Sequence, residues 1–123
     1  MAQSSNALHE DPEELSNATI ERHRAIVSLM EELEAVDWYD QRVEASGDEH
    51  LKAILAHNRD EEKEHAAMTL EWLRRNDAAW DAKLREYLFT EGDVTQIEEQ
   101  EEGGDGGGDG DGSLGIGSLK GAR

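Results

Sequence analysis

Met30-Glu31-Glu32-Leu33-Glu34-Ala35-Val36-Asp37-Trp38-Tyr39 and Arg59-Asp60-Glu61-Glu62-Lys63-Glu64-His65 decide the fold, with Ser46-Gly47-Asp48 between them. Ser46-Gly47-Asp48 is a helix-stop signal. Each quoted stretch reads as the middle of a long helix, from about Asn17 to Ala45 and from about Glu49 to Arg75. On a helical wheel, Ala25, Leu29, Val36, Tyr39 and Val43 fall within about 60° of Glu32. Leu51, Leu55, Ala66, Thr69 and Leu73 fall within about 40° of Glu62. Both carboxylates therefore sit in apolar stripes. Glu32 and Glu62 are equally far from Gly47. A chain that folds back there as an antiparallel hairpin is predicted to bring them level.

Outward from the hairpin the signals weaken. Asp11-Pro12-Glu13-Glu14 reads as a capping box with proline at the first helical position. Asn76-Asp77 ends the second helix and caps a third, about Ala78 to Phe89, with apolar Trp80, Leu84, Tyr87, Leu88 and Phe89. Val94 and Ile97 follow as docking points in an acidic segment. The fold class is thus all-α: a hairpin plus a short third helix, half of a four-helix bundle that a dimer would complete. Residues 1–97 make the helical domain, 98–112 a flexible acidic Gly-rich linker, and 113–123 a distinct tail.

Composition narrows the function classes. The 123 residues hold 30 acidic side chains against 12 Lys and Arg, a formal charge of −18. Such a chain is a poor partner for nucleic acid or an anionic membrane and a good one for cations. Cysteine is absent, which excludes thiolate metal sites and disulfides. No apolar run reaches the ~20 residues of a membrane span. Met1 to Asn6 lacks the charged start and apolar stretch of a signal peptide, so a cytoplasmic or shell-enclosed protein is expected.

Glu62 and His65 form a Glu-x-x-His pair one helical turn apart. With Glu32 they are half the ligand set of a di-iron carboxylate bundle. A buried carboxylate must be paired, protonated or metal-bound. Carboxylate and imidazole suit iron or manganese, with zinc as an impostor. One chain supplies Glu32, Glu62 and His65, with Tyr39 nearby, and a two-fold dimer would supply the set twice. The alternative is an Arg59–Glu62 ion pair with His65 as a polar core residue, since Arg59 lies about 60° from Glu62 on the wheel. Glu31 and Glu34 lie off the seam with Trp38 one turn beyond. They read either as an outer cation site passing iron inward, where calcium or another divalent cation would also fit, or as a solvated acidic face. His9, His23, His50 and His57 fall on neither face, and Trp72 and Trp80 read as packing residues.

Glu31 to Tyr39, His57 to His65 and Thr69-Leu70-Glu71-Trp72 together resemble the encapsulated ferritins, half-length ferritin-like proteins carried inside encapsulin shells. The resemblance covers roughly residues 9–97. It implies a ferroxidase that oxidises Fe(II) to Fe(III) with dioxygen at a di-iron site between two chains. It further implies dimers in a ring, commonly a decamer, with mineral collecting inside the shell. By position, Glu32, Glu62 and His65 would be ferroxidase ligands, Tyr39 a close neighbour, and Glu31 and Glu34 an outer iron site beside Trp38. Ser113-Leu114-Gly115-Ile116-Gly117-Ser118-Leu119 resembles an encapsulin-targeting peptide, with Leu114, Ile116 and Leu119 as its apolar anchors. The competing readings are a non-enzymatic shell-bound metal buffer or adaptor, and a manganese or other di-metal oxidase using the same ligands.

Overall fold

The computed structural model describes residues 7–104, and the side chains of residues 7–100. Among these the secondary structure is helical, without strands. A 3-10 turn at Pro12–Glu14 is opened by Asp11, whose side chain accepts from the Glu13 amide. Then follow α1 (Asn17–Ala45), α2 (Glu49–Arg75), α3 (Ala78–Tyr87) and α4 (Val94–Gly104). The half-bundle hairpin expected from the periodicity is present in α1 and α2.

The hairpin has its bounds because both ends of each helix are capped. Ser16 accepts from the Thr19 amide at the start of α1. Asp48 accepts from the Leu51 amide at the start of α2, and Asn76 closes that helix through the Trp72 and Leu73 carbonyls. Side-chain oxygens there satisfy donors that no helix can satisfy internally. Between the helices, Ser46 and Gly47 leave room for reversal. α1 and α2 pack along each other, and two cross-helix contacts show that they run antiparallel. Arg59 meets Asp40 near the turn, and Thr69 meets Glu32 far from it.

The hairpin has little core of its own. Among the described residues only Ala66 and Leu73 are buried hydrophobics, with Leu73 at 0% exposure. The α1 stripe of Ala25, Leu29, Val36, Tyr39 and Val43 is half-buried. Ile26, Met30 and Leu33 on α1, and Ile54, Met68 and Trp72 on α2, remain exposed.

The second compact unit begins at Asp77 and holds α3 and α4. Asp77 caps α3 by accepting from the Ala79 and Trp80 amides. The third helix was expected to reach Phe89, but it stops at Tyr87. Leu88 is extended, the Thr90 hydroxyl donates to the Tyr87 carbonyl, and Phe89 takes φ 62. A phenylalanine in the left-handed region is strained, and this one is fully exposed. α4 occupies part of the stretch whose composition suggested a flexible linker. Its start is fixed by Asp93, which accepts from the Thr95 amide and hydroxyl. Those bonds, the hydroxyl first, hold the Asp93 carboxyl below its ordinary range. The Glu and Gln residues that follow are good helix formers, and the glycine run begins only at Gly103. The tail residues Leu114, Ile116 and Leu119 lie outside the described residues.

Candidate metal site

Glu62 and His65 project from consecutive turns of α2, and the structure brings them together. His65 Nδ1 is 3.6 Å from Glu62 Oε1, with the two side chains 44% and 28% exposed. They lie in the half-buried stripe that runs along α2 to Ala66 and Leu73. A second carboxylate also reaches the imidazole: Glu61 Oε1 is 3.9 Å from His65 Nε2, and Glu61 Oε2 is 3.8 Å from His57 Nε2. Glu61 thus stands between two histidines at i−4 and i+4, a spacing legible in the sequence but passed over in favour of Glu62.

Glu32 is half-buried on α1, as its stripe predicted. Its cross-helix partner, however, is Thr69 rather than Glu62. The Thr69 hydroxyl donates to Glu32 Oε1 at 3.2 Å. Thr69 lies seven residues beyond Glu62 along α2, a rise of about 10 Å. A smaller displacement in the same direction, five residues against seven, recurs in the Asp40–Arg59 pair. Asp40 is seven residues before Gly47, whereas Arg59 is twelve after it. The lean of helical side chains toward their own N-terminus acts in this direction. α1 side chains lean away from the turn and α2 side chains lean toward it, so a residue on α1 meets one farther from the turn on α2. Within this chain Glu32, Glu62 and His65 do not gather into one cluster. Among the described residues no group of three or more His, Cys, Asp or Glu has the spacing to hold a metal ion.

Arg59 does not pair with Glu62. Its guanidinium donates to Asp60 and to Asp40, at 3.1 and 3.2 Å, and these carboxylates, Asp60 first, raise it above its ordinary range. The alternative in which an Arg59–Glu62 bridge explains the seam is therefore not what the fold adopts.

Tyr39 is half-buried on the Glu32 stripe, with the Arg42 guanidinium 5.4 Å above its ring. Glu31 and Glu34 are exposed, and Trp38 beside them is 48% exposed. Trp72 and Trp80, read as packing residues, are also among the exposed large hydrophobics. An open groove of about 400 Å³ runs between the helices, lined by Ala25 and Ser28 of α1 and Met68, Thr69 and Trp72 of α2. The donors along the seam are carboxylate oxygen and imidazole nitrogen, a set that fits iron or manganese.

Comparison with known proteins decides the family. A family model described as EncFtn-like matches residues 7–91. The chain belongs to the EncFtn-like family. The resemblance read from Glu31–Tyr39, His57–His65 and Thr69–Trp72 is thus shown over residues 7–91. The EncFtn-like chain is 70% identical to the encapsulated ferritin-like protein of Rhodospirillum rubrum, over 98% of this chain and 93% of that one. It is 54% identical to a ferritin-like protein of Thermotoga maritima, over 90% and 96% of the two chains. A crystal structure of a Nitrosomonas europaea protein superposes with a TM-score of 0.69 at 63% identity, covering 71% of this EncFtn-like chain and 96% of the other. No described helix is long and apolar enough to cross a membrane.

Proposed function

We propose that this chain is a ferroxidase that oxidises Fe(II) to Fe(III) with dioxygen at a di-iron site shared by two copies, as cargo of an encapsulin shell. The observation that carries the reading is the half-buried Glu62–His65 pair, one turn apart, with Arg59 turned to Asp40 and Asp60 instead. Membership of the EncFtn-like family supports it. A single hairpin supplies one Glu-x-x-His pair and one further carboxylate, half of a di-iron ligand set, so a complete site calls for a second copy related by two-fold symmetry. The scant core of the hairpin supports the same conclusion, because association would cover the apolar side chains left exposed.

In this reading Glu32, Glu62 and His65 hold Fe(II), which is the substrate. Dioxygen takes up the electrons that iron gives up, and carboxylates stabilise the more highly charged product. Tyr39 flanks the site, its ring engaged by Arg42. The exposed Glu31 and Glu34, beside Trp38, add negative potential that draws cations toward the seam. The ring assembly, and residues 113–123 as the address that the shell recognises, belong to the proposal as well. The Rhodospirillum rubrum relative is itself described as encapsulated.

The test is anaerobic loading with Fe(II), followed by admission of air and a record of near-ultraviolet absorbance and dioxygen uptake. Glu62→Ala and His65→Ala are each expected to cut the rate by about tenfold or more, since losing a ligand costs at least as much as losing its support. Iron binding without dioxygen uptake would instead mark the chain as a metal buffer or adaptor.

A further inference from the structure

Thr69 joins the two helices at the level of a proposed ligand. Its hydroxyl carries one hydrogen and has two acceptors in reach. Oγ1 lies 3.1 Å from the His65 carbonyl oxygen and 3.2 Å from Glu32 Oε1. A helical threonine ordinarily gives its hydrogen to the carbonyl four residues back. Here the competing acceptor is a carboxylate, and hydrogen bonds to ionised acceptors are the stronger ones. Both side chains are half-buried, which limits competition from water.

We infer that Thr69 is a positioning residue for Glu32. Its hydroxyl fixes Oε1 and leaves Oε2 as the oxygen that turns toward a cation. The consequence is geometric. A carboxylate is free to spin about its last bond, and one donor at a fixed height removes that freedom. Thr69 is also one turn from His65, so the hydroxyl ties the carboxylate on α1 to the turn of α2 that bears the imidazole. Seven residues separate Thr69 from Glu62, which places it two turns beyond the Glu-x-x-His pair. The inference rests on reading Glu32 as a metal ligand.

The test is a titration of the full-length protein with Co(II), whose visible bands report the ligands around the ion. Thr69→Val keeps the side chain's shape and removes the donor, whereas Thr69→Ser keeps the donor. Thr69→Val is expected to weaken Co(II) binding by about tenfold and to change the band shape, with Thr69→Ser close to wild type. If valine disturbs the helix, Thr69→Ala gives the same loss by a different route, since it opens the groove instead of filling it. Wild-type affinity and spectrum in Thr69→Val or Thr69→Ala would overturn the role. A Thr69→Ser variant as weak as Thr69→Val would overturn it too, because packing would then be the cause. Glu32→Ala is the reference. If it leaves the titration unchanged, Glu32 is no ligand and the reading of the site fails along with the inference. If Glu32→Ala weakens binding and removal of the Thr69 hydroxyl does not, only the role of Thr69 is lost.

Discussion

Glu71 shows how a single side chain can be committed to structure on a helix otherwise rich in solvated acids. Arg74 donates to it through Nε and Nη2, both at 2.8 Å, and Arg75 through Nε at 2.6 Å. These two guanidinium groups, Arg74 first, hold the Glu71 carboxyl at about 2, down from an ordinary 4.5. The sign follows from linkage. A carboxyl depressed in the folded state adds stability above its unfolded value and loses it as pH falls toward the folded one. Urea unfolding of wild type and Glu71→Gln is therefore expected to show wild type the more stable at pH 6. The gap should shrink from about pH 4.5 and vanish near pH 2. A gap independent of pH across that range would mean that the amide disturbs packing instead. Salt should also narrow it, because the cluster is partly exposed. This interaction lies at i+3 and i+4, so it is legible from spacing alone. So is the Glu62–His65 contact. Thr69 with Glu32 is not, because it depends on how two helices meet.

The same distinction holds for whole elements. α1 and α2 were legible to the residue because Ser16, Asp48 and Asn76 are strong local signals at their ends. The register of the cross-helix contacts was not, since a count of residues from Gly47 fixes neither how the two helices meet nor the opposite lean of their side chains. For α3 the apolar run Tyr87-Leu88-Phe89 reads as continued helix, whereas the helix ends at Tyr87. The Thr90 hydroxyl takes the Tyr87 carbonyl instead. α4 runs into the stretch that composition reads as linker, because Glu and Gln form helix and the glycine run begins only at Gly103. Caps supply the test at this scale. Asp77 accepts from the Ala79 amide at 3.0 Å and the Trp80 amide at 3.2 Å. Asp77→Ala should therefore cost α3 about 1 kcal/mol, read as faster hydrogen exchange at α3 amides with those of α1 unchanged. Equal protection of α3 in both proteins would show that tertiary contacts, and not the cap, hold this helix.

For the whole molecule the decisive fact is how little each chain buries. Leu73 and Ala66 make a small core for a hairpin of this length, and long helices owe most of their stability to packed faces. The exposed Ile26, Met30 and Leu33 recur along α1 at spacings of four and three, as a continuous apolar row does. The tail poses a separable question. If residues 113–123 are an address, deleting them should abolish loading into a co-expressed encapsulin without changing iron oxidation. Continued loading of the truncated chain would refute the address. Assembly and chemistry, by contrast, should not come apart. In the proposed reading each chain supplies half of a ligand set, Glu32 with the Glu62–His65 pair, so a full set would require association. A metal that binds only the associated state stabilises it by mass action. Oxidation rate per chain should then fall on dilution in step with the loss of the larger species, followed by light scattering on the same samples. Fe(II) added without air should shift the mass distribution back and raise the unfolding temperature more at low protein concentration than at high. Monomers that oxidise iron at the undiluted rate would rule out the two-chain site and leave Glu61, Glu62 and His65 on one helix as the chemistry to explain.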